Sequence, residues 1–392
     1  AHDRVGRKMP KMKKRIQQVL VSVLFGLLIA EFTGCGKAIN RDYDIVVYGG
    51  TSAGVVAAIQ AARMGNSVIL IEPGAHLGGL TAGGLGQTDI GNKNAIGGIA
   101  REFYELVFDH YANDDVWINQ KRTDYKHFTK EWQEEKTWWK FEPHVAEQIL
   151  KEMLAKDDVP VIFKERLDLE NGVEKSDSKI FAIKMESSRK FSARIFIDAT
   201  YEGDLMALAG VSYFLGRESN DVYGETLNGV QTENAIYHQF KDSVDPYLIE
   251  GDASSGLLPG IDVTGPGAEG GGDSRMQAYC FRMCLTDAPE NRIPFHKPDG
   301  YDSLHYELLL RNFEVGEDKI PWINSDMPNR KSDTNNKRAV STDFIGQNYD
   351  WVNADYKARD ETFKAHLLYQ QGLMWTLANH PRVPDDIRLE VA

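Results

Sequence analysis

YDIVVYGGTSAGVVAAIQAARMGNSVILIE, residues 43–72, decides the fold of this chain. Residues 44–48 are an apolar run, residues 49–54 a turn dense in glycine, and residues 55–64 have the alanine-rich composition of a helix. Residues 67–71 form a second run that is apolar on both faces, as a buried parallel strand should be. The stretch therefore predicts a βαβ unit.

The turn between the first strand and the helix carries the chemistry of such a unit. A helix N-terminus presents unpaired N–H groups and a partial positive charge, so it can bind a pyrophosphate if the chain approaches closely. In the G-x-G-x-x-G pattern, Gly49 makes the tight turn and Gly54 lets the helix pack on the strand. The middle glycine is replaced by Thr51, preceded by Gly50, and Ser52 is a candidate helix cap.

An acidic residue closes the second strand of the unit. Glu72 lies 18 residues after Gly54, close to the spacing of about 20 residues expected for a carboxylate that accepts hydrogen bonds from ribose hydroxyls. Because a carboxylate repels a 2′-phosphate, the pattern favours FAD or NAD over NADP. The alternative is a tight turn without a nucleotide, with Glu72 as a solvated strand end.

Composition limits the classes of protein to which the chain can belong. Its 392 residues are 42% hydrophobic, enough for one large domain or two moderate ones with real cores. The formal net charge is -13, and we find no basic patch interleaved with aromatic residues. The sequence therefore predicts no binding to nucleic acid.

The N-terminal segment has the pattern of a bacterial export signal. Basic residues at positions 11–15 precede the apolar run Val19–Ala30, which is too short to span a bilayer but suits the core of a signal peptide. The run ends in Phe32-Thr33-Gly34-Cys35, which resembles a lipobox. We therefore expect a lipid anchor on Cys35 and a location at the cell envelope, with ordinary secretion or a short anchor as the alternatives.

Residues 74–98 contain nine glycines interleaved with Leu, Ile and Thr. This composition favours backbone packed against a bulky flat ligand, and the alternative is a mobile surface loop. Further along, the pattern predicts helices at 99–110, 143–155, 205–209 and 356–379, and strands at 159–163, 179–185 and 194–199. Loops are predicted at 251–272 and in MPNRKSDTNNK, residues 327–337, where turn-forming residues are dense.

Two cysteines follow Cys35, at positions 280 and 284. In a strand spanning MQAYCFRMCLT they would lie on one face about 13 Å apart, too far for a disulfide, although a helix would bring them closer. We expect buried thiols. Because neither a four-cysteine cluster nor a His, Cys and carboxylate spacing is present, the sequence predicts neither an iron–sulfur cluster nor a metal site.

Several motifs together resemble bacterial FAD-dependent oxidoreductases whose flavin domain is of the glutathione-reductase type, relatives of which are often labelled xanthan lyase. The resemblance covers nearly everything after Tyr43. Its motifs are GGTSAGVVAAIQAARMG with Glu72, HLGGLTAGGLGQTD, GGIAREFYE, FIDATYEGDLMALAGVSYFLGRES, QAYCFRMCLT, and PNRKSDTNN with STDFIGQNYDW. The chain lacks the C-x-x-x-x-C pair of disulfide-reducing flavoenzymes, so chemistry is expected to stay at the flavin.

The resemblance implies which residues bind FAD. The pyrophosphate would be held by Gly49, Gly50, Thr51, Ser52, Ala53 and Gly54, and the adenosine ribose by Glu72. Gly78 and Gly79 would follow, Asp198 would approach the cofactor again, and the loop around Asp89 and Gly97 would lie toward the flavin ring. The sequence names no catalytic residue and does not define the oligomeric state.

The expected fold is α/β, with a Rossmann-like FAD/NAD(P)-binding domain, in which a parallel sheet carries a small antiparallel β layer, and a second α+β substrate domain. The expected division is 1–40 for the signal peptide, lipobox and tether, 41–215 for the FAD-binding domain with an inserted excursion at 111–142, and 216–392 for the substrate or cap domain. The resemblance also implies a further C-terminal segment, so we expect a truncated chain.

The expected function is flavin-mediated transfer of hydride or two electrons from a small organic or carbohydrate-derived substrate. Two alternatives remain at this point. One is an NAD-dependent dehydrogenase that uses the same βαβ unit, and the other is a non-catalytic surface lipoprotein that retains the flavin fold.

Overall fold

The computed structural model describes residues 42–392. Cys35 and the expected signal segment lie outside the described residues. Residues 43–392 form one compact unit. The boundary expected at residue 215 stays a prediction. Within the described residues, no helix combines the length and apolar composition needed to span a membrane, and no group of three or more His, Cys, Asp and Glu side chains is arranged to hold a metal ion.

A six-stranded sheet organises the N-terminal half. Its strands are β1 (Tyr43–Tyr48), β2 (Val68–Glu72), β3 (Val161–Phe163), β4 (Val173–Ser176), β5 (Lys179–Lys184) and β6 (Lys190–Asp198), in the order β3-β2-β1-β6-β5-β4. The first four strands of that order run parallel, whereas β5 and β4 continue the sheet antiparallel. The expected parallel sheet with a small antiparallel layer is confirmed.

Nine α-helices are present in the part of the chain that the structure describes. They are α1 (Ser52–Arg63), α2 (Gly98–Ala112), α3 (Lys130–Glu135), α4 (Pro143–Lys156), α5 (Asp204–Ala209), α6 (Asn220–Tyr223), α7 (Glu307–Glu314), α8 (Tyr356–Asn379) and α9 (Asp385–Val391). The five helices predicted from the sequence correspond to α1, α2, α4, α5 and α8, with end differences of at most three residues.

Two smaller antiparallel sheets lie in the second half. One contains β7 (Tyr247–Ile249) and β8 (Asp252–Leu257), and the other contains β9 (Met283–Thr286), β10 (Trp322–Met327) and β11 (Lys331–Asn336), in the order β10-β11-β9. Two predictions were therefore wrong. The segment 327–337 is mostly strand β11 rather than a loop, and β8 lies inside the region predicted to be irregular at 251–272.

Apolar clusters cover both faces of the main sheet. One cluster joins Val47 and Leu70 to residues of α1, α2 and α4, and a second joins Val46 and Ile71 to β5, β6 and α5. Two of the three buried tryptophans of the excursion, Trp117 and Trp138, belong to the first cluster and serve packing. A third cluster is formed by residues 306–391.

The register of the sheet places three strand ends side by side. Tyr48, the last residue of β1, pairs with Ile71 of β2 and with Asp198 of β6. Because all three strands are parallel, the segments that follow them emerge at the same edge. In open α/β sheets this carboxyl edge is where ligands bind.

Candidate functional site

The glycine turn after β1 is packed so closely that side chains are excluded. Gly49 has φ of +103°, and a Cβ atom there would lie 2.7 Å from the carbonyl carbon of Ala199. A Cβ on Gly54 would lie 1.9 Å from the carbonyl oxygen of Gly49. A Cβ on Gly50 would lie 2.5 Å from Leu77 Cδ2. The turn therefore holds the first turn of α1 directly against the end of β1, as a pyrophosphate site requires.

Thr51 replaces the middle glycine without blocking the turn. It is the N-cap of α1, and its Oγ1 accepts a hydrogen bond from Gly54 N at 3.3 Å. The same hydroxyl donates to the carbonyl of Ala199, 2.7 Å away, and the residue is buried. The Thr51 side chain is therefore held by hydrogen bonds to the residue after β6 and to the first turn of α1.

Ser52 does not cap the helix, so that prediction was wrong. Its hydroxyl donates to the carbonyl of Gly78 at 2.9 Å and lies 2.7 Å from Thr81 Oγ1. Ser52 and Ala53 begin the first turn of α1, where an α-helix offers no carbonyl to their N–H groups. These two amides are therefore suited to an anionic ligand.

Glu72 ends β2 beside the turn, as the spacing predicted. Its Oε2 accepts a hydrogen bond from Gly50 N at 2.5 Å, and its Oε1 accepts one from Gly74 N at 2.6 Å. Burial raises the pKa of this carboxyl group. Each carboxylate oxygen has a second lone pair, so Glu72 can hold the turn and still accept a hydroxyl proton.

Gly78 and Gly79 lie directly beside this turn. Gly78 N donates to the carbonyl of Gly50 at 2.7 Å, and both glycines have positive φ, of +94° and +52°. A Cβ on Gly79 would lie 2.3 Å from the hydroxyl oxygen of Tyr201, which accepts a hydrogen bond from Leu80 N. Sequence reasoning missed Tyr201, although its position three residues after the end of β6 places it at the carboxyl edge.

Further along the glycine-rich loop, Gly84 and Gly86 pack against protein. A Cβ on Gly84 would lie 2.8 Å from Arg282 Cβ, and one on Gly86 would lie 2.3 Å from the carbonyl oxygen of Phe141. The close approach inferred from the sequence is therefore present, but its partner at these two positions is the chain itself. Gly97 has open space around it.

Asp198 occupies the end of β6 and binds its own loop. Its Oδ1 accepts hydrogen bonds from Thr200 N and Thr200 Oγ1 at 3.0 and 2.7 Å, and its Oδ2 accepts one from Met206 N at 2.9 Å. These bonds fix the start of α5 next to the glycine turn. A direct contact of Asp198 with a cofactor stays a prediction.

The neighbouring acid, Asp204, forms an ion pair with a distant helix. Arg359 of α8 donates to both carboxylate oxygens of Asp204, each at 2.7 Å, and both side chains are largely buried. Asp204 is the first residue of α5, whose N-cap is Gly203, so its carboxylate serves the ion pair rather than a cap.

The two thiols have no activated character. Burial raises the pKa of both Cys280 and Cys284 to about 11. Both are free cysteines, but Cys280 is only partly buried and Cys284 is exposed, so the expectation of buried thiols was wrong. Because the thiolate is the reactive form, these groups are poor nucleophiles near neutral pH.

The residues at the carboxyl edge fit a dinucleotide with an unphosphorylated ribose. The turn has no room for a Cβ at positions 49, 50 and 54, and the first two amides of α1 have no helical acceptor. Glu72 supplies a carboxylate that would repel a 2′-phosphate. The family model for FAD dependent oxidoreductase matches residues 44–387.

The chain belongs to this family. Membership confirms the expected class of oxidoreductase and FAD as its cofactor, rather than the NAD alternative.

A curated relative matches a short part of this FAD-dependent oxidoreductase. It is the 3-oxosteroid 1-dehydrogenase of Mycolicibacterium smegmatis (strain ATCC 700084 / mc(2)155), 41% identical over 57 residues. The match covers 14% of this chain and 10% of that protein.

Solved flavoenzymes share a distant likeness. L-amino acid deaminase from Proteus vulgaris is 14% identical, with a TM-score of 0.31 over 46% of this chain and 52% of the other. The 3-ketosteroid-delta4-(5alpha)-dehydrogenase from Rhodococcus jostii RHA1 is 17% identical, with a TM-score of 0.25 over 42% and 47%. The chain spans about half the length of these two proteins. TM-scores this low say nothing about substrate.

Proposed function

We propose that this chain is an oxidoreductase that uses FAD to oxidise a small organic or carbohydrate-derived substrate at the bacterial cell envelope. The observation that carries the proposal is the glycine turn between β1 and α1, closed by Glu72 at the carboxyl edge of the sheet. Bound FAD supplies an acceptor for a hydride or two electrons.

Different residues at the turn would bind different parts of FAD. The amides of Ser52 and Ala53 and the positive end of the α1 dipole would hold the pyrophosphate, and Glu72 would accept hydrogen bonds from the adenosine ribose. Gly78 and Gly79, beside the turn, would let the backbone approach the cofactor. Thr51 keeps its side chain out of the pyrophosphate site through its bond to Ala199.

The test is identification of the cofactor in the purified chain. Protein is denatured, and the released small molecules are identified by mass; a second sample is titrated with FAD and followed by flavin fluorescence. We expect FAD to be released or to bind saturably. Recovery of NAD alone, or no binding at saturating FAD, would overturn the proposal. Reduction of bound flavin by members of a sugar and organic-acid panel separates an enzyme from a non-catalytic lipoprotein.

The envelope location is supported by the N-terminal sequence alone. The basic start, the short apolar run Val19–Ala30 and the Thr33-Gly34-Cys35 ending favour a lipid anchor on Cys35.

A further inference from the structure

Two basic side chains contact each other beside the glycine-rich loop. The ammonium nitrogen of Lys140 lies 3.2 Å from Nε2 of His127. His127 Nε2 lies 3.7 Å from Oδ2 of Asp326, and Lys126 forms an ion pair with the same oxygen. The hydroxyl of Tyr125 donates to the carbonyl of Asp326 at 2.8 Å. We call Lys126, His127, Lys140 and Asp326 the basic cluster.

The charges of the basic cluster do not balance. Two ammonium groups share one carboxylate, that of Asp326, and Lys126 pairs with it directly. Among the described residues, none forms an ion pair with Lys140, whose bonding partner is an imidazole. Burial lowers the pKa of Lys140, and burial together with the charges of Lys140 and Lys126 lowers that of His127. A half-buried cation without a direct ion-pair partner is costly.

The backbone ties this cluster to the cofactor loop. Lys140 pairs with Gln87 in an antiparallel bridge, and Thr88 N donates to the carbonyl of Trp139 at 3.1 Å. Phe141 N donates to the carbonyl of Gly86, also at 3.1 Å. The same loop begins at Gly78, whose amide binds the glycine turn. The unpaired ammonium is thus fixed to the segment that continues from the proposed FAD site.

We propose that Lys140 and His127 form a subsite for the carboxylate of the substrate, which is therefore a small organic acid. This inference rests on the proposed function and narrows its substrate class. A carboxylate that contacts both side chains would pair with the Lys140 ammonium and accept a hydrogen bond from the imidazole. It would supply a second carboxylate for the two ammonium groups without moving Asp326 from Lys126.

Binding of an anion should be coupled to protonation of His127. The charged groups that face this imidazole are Lys140, Lys126 and Asp326, and the ring of Tyr125 packs against it at a centroid distance of 5.3 Å. The two ammonium groups disfavour the imidazolium form and Asp326 favours it. A second carboxylate shifts this balance, so anion binding should take up protons and strengthen as the pH falls from 8 to 6.

The experiment uses succinate as the probe and succinamide as its uncharged analogue. Calorimetric titrations of the full chain compare wild type with Lys140→Met and with Lys130→Met, a control lysine in the same excursion whose side chain is 90% exposed. We expect saturable succinate binding that Lys140→Met weakens at least tenfold and Lys130→Met leaves unchanged. Titration in buffers of different ionisation enthalpy should show proton uptake, which His127→Asn abolishes.

The outcomes separate this inference from the proposed function. Absence of saturable succinate binding, unchanged binding by Lys140→Met, or equally tight binding of succinamide or inorganic phosphate would each overturn the carboxylate subsite. The Tm of Lys140→Met should be close to that of wild type, because the ammonium has no direct ion-pair partner and shares Asp326 with Lys126; a large decrease would show a structural role instead. FAD content is measured separately on the same samples. Succinate binding that depends on Lys140 supports the subsite whatever the FAD content.

Discussion

A Cβ atom on Gly54 would lie 1.9 Å from the carbonyl oxygen of Gly49, so α1 can approach the end of β1 only without a side chain at position 54. The contact is between backbone groups and cannot be relieved by rotating a side chain. It fixes the amides of the first helical turn relative to the strand end.

Gly54→Ala should abolish FAD binding, because even one methyl group forces α1 away from β1 and displaces the pyrophosphate site. Gln60→Ala, on the exposed face of the same helix, is the matched control and should bind normally. Binding is measured by titrating apoprotein with FAD and following flavin fluorescence. Wild-type affinity in Gly54→Ala would show that the pyrophosphate binds elsewhere.

Glu72→Ala should weaken FAD binding less severely. The change removes the carboxylate that would receive the ribose hydroxyls, and charge-assisted hydrogen bonds contribute on the order of 1.5–3 kcal/mol each before solvent compensation. It also leaves the amides of Gly50 and Gly74 without their acceptor. Tenfold or greater loss is expected by the same titration, with exposed Glu170→Ala as the control. If Glu72→Ala binds FAD as tightly as wild type, the ribose assignment is wrong.

Arg359→Met should destabilise the protein. It leaves the buried carboxylate of Asp204 unpaired, and breaking a buried pair from one side costs about 3–5 kcal/mol. The double variant Asp204→Asn/Arg359→Met should recover most of that loss, because no uncompensated charge remains. The control is Arg101→Met, which breaks the more exposed pair with Glu105. It should change the free energy of unfolding by about 0.5 kcal/mol or less. Urea unfolding measures the free energy of unfolding of all three variants. If Arg359→Met and the double variant lose the same amount, Asp204 and Arg359 are not energetically coupled.

The thiol of Cys280 should react slowly with alkylating reagents at pH 8. With a pKa raised to about 11, only about one thiol in a thousand is ionised at that pH. Since folding favours the protonated form, the stabilisation from this shift is present below the ordinary thiol pKa and is lost as the pH rises toward 11. The rate of iodoacetamide labelling is measured in protein that carries Cys35→Ser. Native protein should be labelled at least 100-fold more slowly than urea-denatured protein. The further variants Cys280→Ser and Cys284→Ser assign the labelling to each thiol. Equal rates would contradict the raised pKa.

Cys35→Ser should release the protein from membranes. The substitution removes the thiol that the lipobox-like ending presents for lipid attachment. Fractionation of a bacterial host into membrane and soluble parts measures the result, and metabolic labelling with a fatty acid provides a second readout. Unchanged membrane association would favour a retained N-terminal anchor over lipidation.

Local patterns were sufficient to predict the nucleotide-binding part of the fold. The sequence of the βαβ unit has apolar runs of the right length, separated by glycine-containing turns. The register of β1 with β2 and β6 brings Glu72 and Asp198 to the carboxyl edge as expected. What sequence could not show was how Thr51 fits. That depends on a hydrogen bond to Ala199, 148 residues away.

Long-range contacts also explain the mispredicted strands. In β11, the sequence KSDTNN has turn-forming composition, yet Asp333 is held by Gln87 N and by Arg282, and Thr334 bonds Asn324 of β10. Partners from distant segments therefore override local preference.

The stretch QAYCFRMCLT shows the opposite effect. It alternates like a strand, but only its end belongs to β9. The reason is that the side-chain amide of Gln370 forms hydrogen bonds with both the N–H and the carbonyl of Phe281, at 2.9 and 2.7 Å. The contact of Lys140 with His127 was equally invisible to sequence patterns, since neither residue belongs to a recognisable motif.

The strand order of the main sheet also has a consequence for biosynthesis. β1 pairs with β2 almost as soon as the chain emerges, but its other neighbour, β6, begins only at Lys190. At about 5–20 residues per second, the ribosome needs roughly 7–30 s to synthesise the intervening residues. During that interval the hydrophobic edge of β1 is open to other nascent chains. Slow translation of residues 49–189 should therefore lower the soluble yield unless a chaperone protects this edge.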